Sequence, residues 1–94
     1  MSDHQKMIYI DNMVKNLPTL RAMLHISQAD LAERIGVSRQ QIVAIETGKR
    51  KITWTTFLAL SFLFNESQET KLLLNVFNIY DSDLRNYLAG ESHP

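Results

Sequence analysis

The sequence predicts an all-α fold of five or six helices. Apolar residues recur three and four positions apart along almost the whole chain, and no stretch alternates apolar and polar residues for long enough to indicate a strand. Each of the three glycines follows a segment with helical spacing, where a left-handed residue often ends a helix. With 94 residues, 45% of them apolar and 21% charged, the composition is that of an ordinary globular domain.

The first predicted helix begins near Asn16, a residue type that caps helices, and runs as far as Leu24. Pro18 then falls in the first turn, where its missing N–H costs nothing. Residues 8–15 also have helical spacing, but a helix that included them would have Pro18 in its interior. The sequence leaves the state of that segment open.

Two short helices with matching start signals follow. Ser27 begins the second helix, with Asp30 approximating a capping box, and Ser38 begins the third, with Gln41 at the box position. Gly36 ends the second helix two residues before the third begins, so the pair must cross steeply in a helix-turn-helix arrangement over residues 27–47. The apolar residues expected to face the core are Leu31, Ile35, Ile42 and Ile45.

The remaining helices are more apolar. Thr53 caps a fourth helix, TWTTFLALSFLFN, with Leu58 and Phe62 on a different side from Phe57, Leu60 and Phe64. A fifth covers about 68–80. A sixth covers 82–89 and stops at Gly90.

Several motifs in residues 20–64 occur in a fixed order: SQ-x-x-LA at 27–32, IGVS at 35–38 and I-x-x-x-E-x-G-K at 42–49. Together they resemble the phage-repressor and Cro family of regulators, also called the xenobiotic-response-element family. The resemblance implies a lambda-repressor-like DNA-binding domain, which we place at 1–66. The resemblance ends after Phe64, and the residues that follow predict a helical C-terminal extension at 67–94 from their own spacing. One departure precedes the motif, because His25 and Ile26 stand where the family usually has a glycine; histidine can adopt the left-handed backbone required there.

The resemblance also implies residue roles. The positions that match base-contacting residues are Arg39, Gln40 and Ala44. The positions that match phosphate-contacting residues are Gln28, Ser38, Thr47, Lys49, Arg50 and Lys51. Arg21 and Glu46 match a partly buried structural ion pair.

Residue chemistry supports these roles independently. An arginine can bond both acceptors of a guanine edge, a glutamine both groups of an adenine edge, and an alanine methyl can meet a thymine methyl. The formal net charge is zero, but residues 1–55 carry eight Lys/Arg against five Asp/Glu, a net of +3, and the rest of the chain carries −3. Because salt screens surface charge beyond ~8 Å, the local excess matters more than the total.

The second half has more apolar residues than a small core can easily cover, so we expect a homodimer. The expected dimer contacts are Leu72, Leu73, Val76, Phe77, Tyr80, Leu84 and Leu88. In the alternative, the final helices fold back and complete the core of a monomer.

These features predict a dimeric, sequence-specific DNA-binding transcriptional regulator, a repressor that reads an inverted repeat of double-stranded DNA. Two alternatives remain: an antitoxin whose second half captures a toxin partner, and a protein-interaction module that has lost DNA binding. No Gly-rich phosphate loop or nucleophile elbow indicates an enzyme, and no cofactor is expected. No cysteine is present, and His4, His25 and His93 lack the spacing of metal ligands. We see no signal peptide or apolar span, and expect a cytoplasmic protein.

Overall fold

The computed structural model describes residues 1–90, so the last four positions of the expected 67–94 extension, with His93, lie outside the described residues. The described chain is all-α and contains no strand, which confirms the predicted fold class. Its six helices are α1 Asp3–Met23, α2 Gln28–Ile35, α3 Arg39–Glu46, α4 Trp54–Asn65, α5 Gln68–Val76 and α6 Ser82–Leu88.

The first helix is longer than predicted, and the expected start at Asn16 is wrong. Helix α1 begins after Ser2, whose hydroxyl accepts a hydrogen bond from the backbone N–H of Gln5 in a complete capping box, and Pro18 lies inside it. An interior proline costs about 3 kcal/mol relative to alanine. Here the proline ring is exposed, while one continuous helical face packs into the core on both sides of it; that face consists of Ile10, Met13, Leu17 and Leu20. Burial of that face outweighs the local signal.

Four helices surround the centre of the core. Phe57, Leu60 and Phe64 of α4 are fully buried. Ile42 of α3 and Leu31 of α2 are fully buried as well, which confirms the predicted inward faces of α2 and α3 at these positions. Ile45 is buried as well, and Ile35 is half-buried against the same cluster. The ring of Trp54 stacks on Phe57 with centroids 4.8 Å apart, and the ammonium of Lys6 lies 5.2 Å from the Trp54 ring.

Helix α5 ends four residues earlier than predicted. Asn78 adopts a left-handed backbone with φ 56°, and the N–H groups of Ile79 and Tyr80 both donate to the carbonyl of Leu74, which closes the helix end. Asparagine tolerates this conformation better than other non-glycine residues. Asp81 then caps α6 by accepting from the N–H of Leu84, in agreement with the predicted helix boundary.

The C-terminal helices fold back onto α1. Leu74, Ile79 and Leu84 are fully buried in the same core as the first four helices. The Tyr9 hydroxyl of α1 donates to Oδ1 of Asp81 at 2.6 Å, and the side-chain amide of Asn12 donates to the carbonyl of Asn78 at 3.1 Å. This arrangement agrees with the alternative in which the final helices complete the core of the chain itself.

Candidate nucleic-acid interface

The turn between α2 and α3 is closed from both sides. Gly36 has φ 80°, a left-handed conformation that glycine adopts without strain, and its N–H and that of Val37 both donate to the carbonyl of Ala32. On the other side, the Ser38 hydroxyl accepts from the N–H of Gln41, whose side-chain oxygen accepts from the N–H of Ser38. The predicted end of α2 at Gly36 and the predicted cap of α3 at Ser38 are therefore both present, and together they fix the direction of α3 relative to α2.

Helix α3 separates apolar and polar side chains onto different faces. Ile42 and Ile45 are buried, whereas Arg39 and Gln40, two of the predicted base-contacting residues, are exposed in the first turn. Ala44, the third, is half-buried. An exposed first turn is the part of a recognition helix that reaches base edges when the helix enters a major groove.

A short basic loop follows α3. Its backbone is held by the carbonyl of Ala44, which accepts from the N–H groups of both Lys49 and Arg50 at 2.9 and 3.2 Å. The side chains of Lys49, Arg50 and Lys51 are exposed, and the next residue, Ile52, is buried beneath them. Three cationic side chains are thus presented on a tethered backbone at the C-terminal end of α3.

Two of the predicted phosphate contacts already have partners within the chain. The Thr47 hydroxyl donates to the carbonyl of Val43 at 2.9 Å, so donation to a phosphate requires that bond to break. The Ser38 hydroxyl is exposed and accepts from the Gln41 N–H in the capping box. Its own proton remains available to an acceptor, since its contact to the Gln41 side chain is long at 3.4 Å.

A polar cluster joins α1, α2 and α3. Arg21 donates through Nε and Nη2 to the two carboxylate oxygens of Glu46 at 3.0 and 3.2 Å, and through Nη1 to the carbonyl of Ile26 at 3.1 Å. The side chains are 22% and 7% exposed respectively, so the pair is largely shielded from water. Gln28 adds a bond from Nε2 to Oε1 of Glu46 at 2.9 Å. Sequence reasoning assigned Gln28 to phosphate alone and missed this contact.

The bond to Glu46 leaves Gln28 able to donate to a second acceptor, such as the predicted phosphate. Its amide nitrogen carries two N–H groups, and one of them is directed at Glu46. The residue is half-buried at the first position of α2, next to the exposed start of that helix. Glu46 therefore orients the glutamine and leaves its second N–H available.

The residues expected at a dimer interface do not share one environment. Leu84 is fully buried inside the chain, so it cannot contact a partner in this arrangement; its placement in an interface was wrong because it completes the chain's own core. Leu73, Phe77 and Tyr80 are half-buried against that core. The exposed members of the set are Leu72 at 73%, Val76 at 69% and Leu88 at 41%.

Sequence reasoning also missed one exposed aromatic residue. Phe62 of α4 is 70% exposed, although it lies between the fully buried Leu60 and Phe64. The signal was present in the sequence, since Phe62 and Leu58 were placed on a different side of α4 from Phe57, Leu60 and Phe64. It was not turned into a prediction of a surface.

A family model described as Helix-turn-helix matches residues 19–67, just over half of the chain. The chain belongs to the helix-turn-helix family. The matched range contains the whole of α2, the turn, α3, the basic loop and α4, and it confirms the resemblance found in the motifs.

One curated relative is an uncharacterized HTH-type transcriptional regulator of Methanocaldococcus jannaschii. It is 51% identical over 37 residues, which cover 39% of this chain and 56% of the relative. The helix-turn-helix chain described here thus spans little more than half the length of that relative. No solved structure gives a significant match.

Two other features of the described residues bear on binding partners. Within residues 1–90, no helix is long and apolar enough to cross a membrane. In the same part of the chain, no group of three or more His, Cys, Asp or Glu side chains is arranged to hold a metal ion.

Proposed function

We propose that this helix-turn-helix protein is a sequence-specific DNA-binding transcriptional regulator. The observation that carries the proposal is the composition of α3: apolar on the buried side, with Arg39 and Gln40 exposed in its first turn and three basic side chains at its other end. The family match and the regulator named among the relatives agree with this function.

In this proposal, Arg39 and Gln40 read base edges in the major groove. A guanidinium can donate to O6 and N7 of guanine together, and a glutamine amide can bond both N6 and N7 of adenine. The methyl group of Ala44 can contact a thymine methyl one turn further along the helix. Each bidentate contact supplies ~1–3 kcal/mol of discrimination between bases.

Phosphate contacts set the register of α3 on the duplex. The tethered loop offers Lys49, Arg50 and Lys51 to one strand, and Gln28 and Ser38 lie at the starts of α2 and α3. Such contacts are independent of sequence and weaken as salt increases, because binding releases condensed counterions. Since the chain is neutral overall, we expect modest nonspecific attraction and a large contribution from base contacts.

The regulator acts as a homodimer in this proposal. Several large apolar side chains are exposed, Phe62, Leu72 and Val76 among them, and a dimer can bury part of this surface, which a monomer leaves in water. A two-fold dimer with recognition helices ~34 Å apart reads an inverted repeat with half-sites one helical turn apart. A dimer on such an operator blocks access to the DNA beneath it, which is the basis for proposing a repressor.

The test is a selection of bound duplexes from a random pool, repeated with two variants. Arg39→Ala should weaken binding to the selected site by ~1–3 kcal/mol and relax the preference at one position of each half-site. Lys49→Ala is the matched control for a phosphate contact, since it should lower affinity for all sequences and reduce the slope of affinity against salt. Equal loss on all sequences with Arg39→Ala would assign Arg39 to the backbone. Absence of any enriched sequence would overturn specific DNA binding.

A further inference from the structure

Phe62 lies on the outer side of α4, away from the core. The buried side of that helix consists of Phe57, Leu60 and Phe64, all fully buried, whereas Phe62 is 70% exposed. An aromatic ring this exposed gains little from the fold of its own chain. Large aromatic side chains in such positions are typical anchors of protein interfaces.

Phe62 is also the wall between two hollows. The larger one has a volume of about 670 Å³ and lies between α4 and the end of α2; its other apolar walls include Leu24, Ile35 and Leu63. The smaller one, about 230 Å³, lies on the other side of the ring and is bounded by Leu88 of α6. A protruding aromatic side chain thus stands beside a cavity of suitable chemistry to receive one.

The larger hollow carries one charge of each sign. Arg34, at the end of α2, and Glu66, just after α4, both line it. In the described chain each lacks an ion-pair partner, since the salt bridge found among residues 1–90 joins Arg21 and Glu46. The surface therefore presents an apolar projection, an apolar recess, a cation and an anion, and each of these features has its complement on the same surface.

We propose that a second copy of this chain covers this surface, with Phe62 of each copy inserted into the larger hollow of the other. A two-fold axis makes every contact occur twice, so a surface that pairs with itself must contain both members of each contact. Phe62 and the hollow are one such pair. Arg34 of one copy and Glu66 of its partner are the other, at the rim of the interface.

Opposite charges in one recess favour a second copy over other occupants. A small apolar ligand would fill the hollow but leave Phe62 exposed and both charges unpaired. A heterologous partner needs charges complementary to Arg34 and Glu66, which this chain already carries. Leu88, an exposed residue expected at the dimer interface, borders the smaller hollow and extends the same surface.

The proposal rests on the proposed dimeric function and names the surface that forms the dimer. It moves the centre of the interface from residues 72–88 of α5 and α6, where the sequence predicted it, to α4 and the end of α2. Its test measures association of the protein without DNA, so that it can fail while DNA recognition by α3 stands. Loss of DNA recognition would, in turn, leave the association result unaffected.

The decisive experiment is a charge exchange between two variants, followed by sedimentation velocity. In Arg34→Glu, two acidic side chains meet across the axis, and in Glu66→Arg two basic ones meet, so each variant alone should be monomeric where the wild type is dimeric. In an equimolar mixture, the heterodimer pairs opposite charges at both sites, and the dimer should return. An effect confined to one chain could not be rescued by mixing. A mixture that remains monomeric, or single variants that remain dimeric, would overturn the Arg34–Glu66 contact and the proposed surface with it.

A second pair of variants tests the apolar anchor. Phe62→Ser should weaken self-association at least about a hundredfold, because the two-fold axis removes two phenylalanines from each dimer interface. Leu72→Ser is the matched control, since Leu72 is 73% exposed and borders neither hollow. Helix content measured by circular dichroism checks that both variants fold. If Leu72→Ser dissociates the dimer and Phe62→Ser does not, the interface lies on α5. A wild-type chain that is monomeric at high micromolar concentration, or pairing of Phe62 with a different protein only, would also overturn the proposal.

Discussion

Two segments of the helix-turn-helix chain are held in place in different ways. The reading segment, residues 27–51, is held mainly by bonds between near neighbours: the capping bonds at Ser27 and Ser38 span three residues. The closing segment, residues 67–90, is held by distant ones: Tyr9 bonds Asp81 across 72 positions, and Asn12 bonds Asn78 across 66. The helix ends of the reading segment are specified locally, although Arg21 connects α3 to α1 through Glu46. The closing segment, in contrast, is joined to α1 by bonds between residues far apart in the sequence.

This difference assigns separate tasks to the two segments. Local caps fix the ends of α2 and α3 independently of the exposed side chains, so Arg39 and Gln40 can be replaced without loss of these helix ends. The closing segment fixes α1 and seals the core through Leu84 and Ile79. Changes in the closing segment should therefore affect stability, and changes on the exposed face of α3 should affect binding.

The largest change in stability is expected at Leu84, and it tests whether the closing segment belongs to the common core. Leu84→Ala should lower the free energy of unfolding by ~2–5 kcal/mol, because it leaves a cavity at a fully buried site. Denaturant unfolding followed by circular dichroism and by the fluorescence of Trp54 measures it. Both signals should shift together, since a single small domain unfolds in one transition.

A matched control for Leu84→Ala is Leu72→Ala in the same segment. Leu72 is 73% exposed, so the stability of the monomer should change by less than about 0.5 kcal/mol. If instead the Leu84 variant loses only part of its helix content while the reading segment stays folded, the closing segment is a separate unit. The reading segment and the closing segment would then belong to two domains that unfold separately.

The same contrast determines what could be predicted from the sequence. Gly36, Ser38 and Thr53 gave correct helix ends because the signals act within one turn of the residue. Pro18 gave a wrong start for α1, since burial of α1 on both sides of the proline comes from other helices. Asn78 ended α5 early for a similar reason, because periodicity alone does not reveal a left-handed residue inside an apolar run.

In the candidate site, too, features set by near neighbours could be predicted from the sequence, and features set by contacts between helices could not. Exposure of Arg39 and Gln40 was predictable from the spacing of the buried isoleucines on α3. The bond from Gln28 to Glu46 was not, because it depends on how α2 and α3 meet in space. Nor was the hollow beside Phe62, which is formed by residues from separate helices.

The ion pair between Arg21 and Glu46 connects α3 to α1. Arg21→Ala should lower the free energy of unfolding by about 2 kcal/mol, because it leaves the Glu46 carboxylate, 7% exposed, with Gln28 as its remaining side-chain partner. The effect should be smaller than in a fully buried pair, since Arg21 is 22% exposed. Thermal unfolding provides the measurement.

A double-mutant cycle separates the ion pair from its surroundings. In Arg21→Ala with Glu46→Ala, no unpaired charge remains, so the double variant should lose less stability than the sum of the two single variants. The reading segment should also bind DNA less tightly in either single variant, because Glu46 ends α3 and orients Gln28. Additive losses would mean that the two side chains act independently, and that the pair does not hold α3 in place.

The smallest change in stability is expected at the hydrogen bond from Tyr9 of α1 to Asp81 in the closing segment. Burial, and then the hydrogen bond to Asp81, raise the pKa of Tyr9 well above its ordinary value of 10.0, because both favour the protonated hydroxyl. Tyr9→Phe removes a charge-assisted hydrogen bond and should cost ~1–2 kcal/mol near neutral pH. Above pH 10 the unfolded chain releases the Tyr9 proton while the folded chain retains it, so wild-type stability falls as the pH rises. The variant lacks this group, and the gap between the two proteins should narrow with increasing pH in urea unfolding. A gap that stays constant from pH 8 to pH 11 would show that the hydroxyl titrates alike in both states, and that the Tyr9–Asp81 bond does not hold the closing segment on α1.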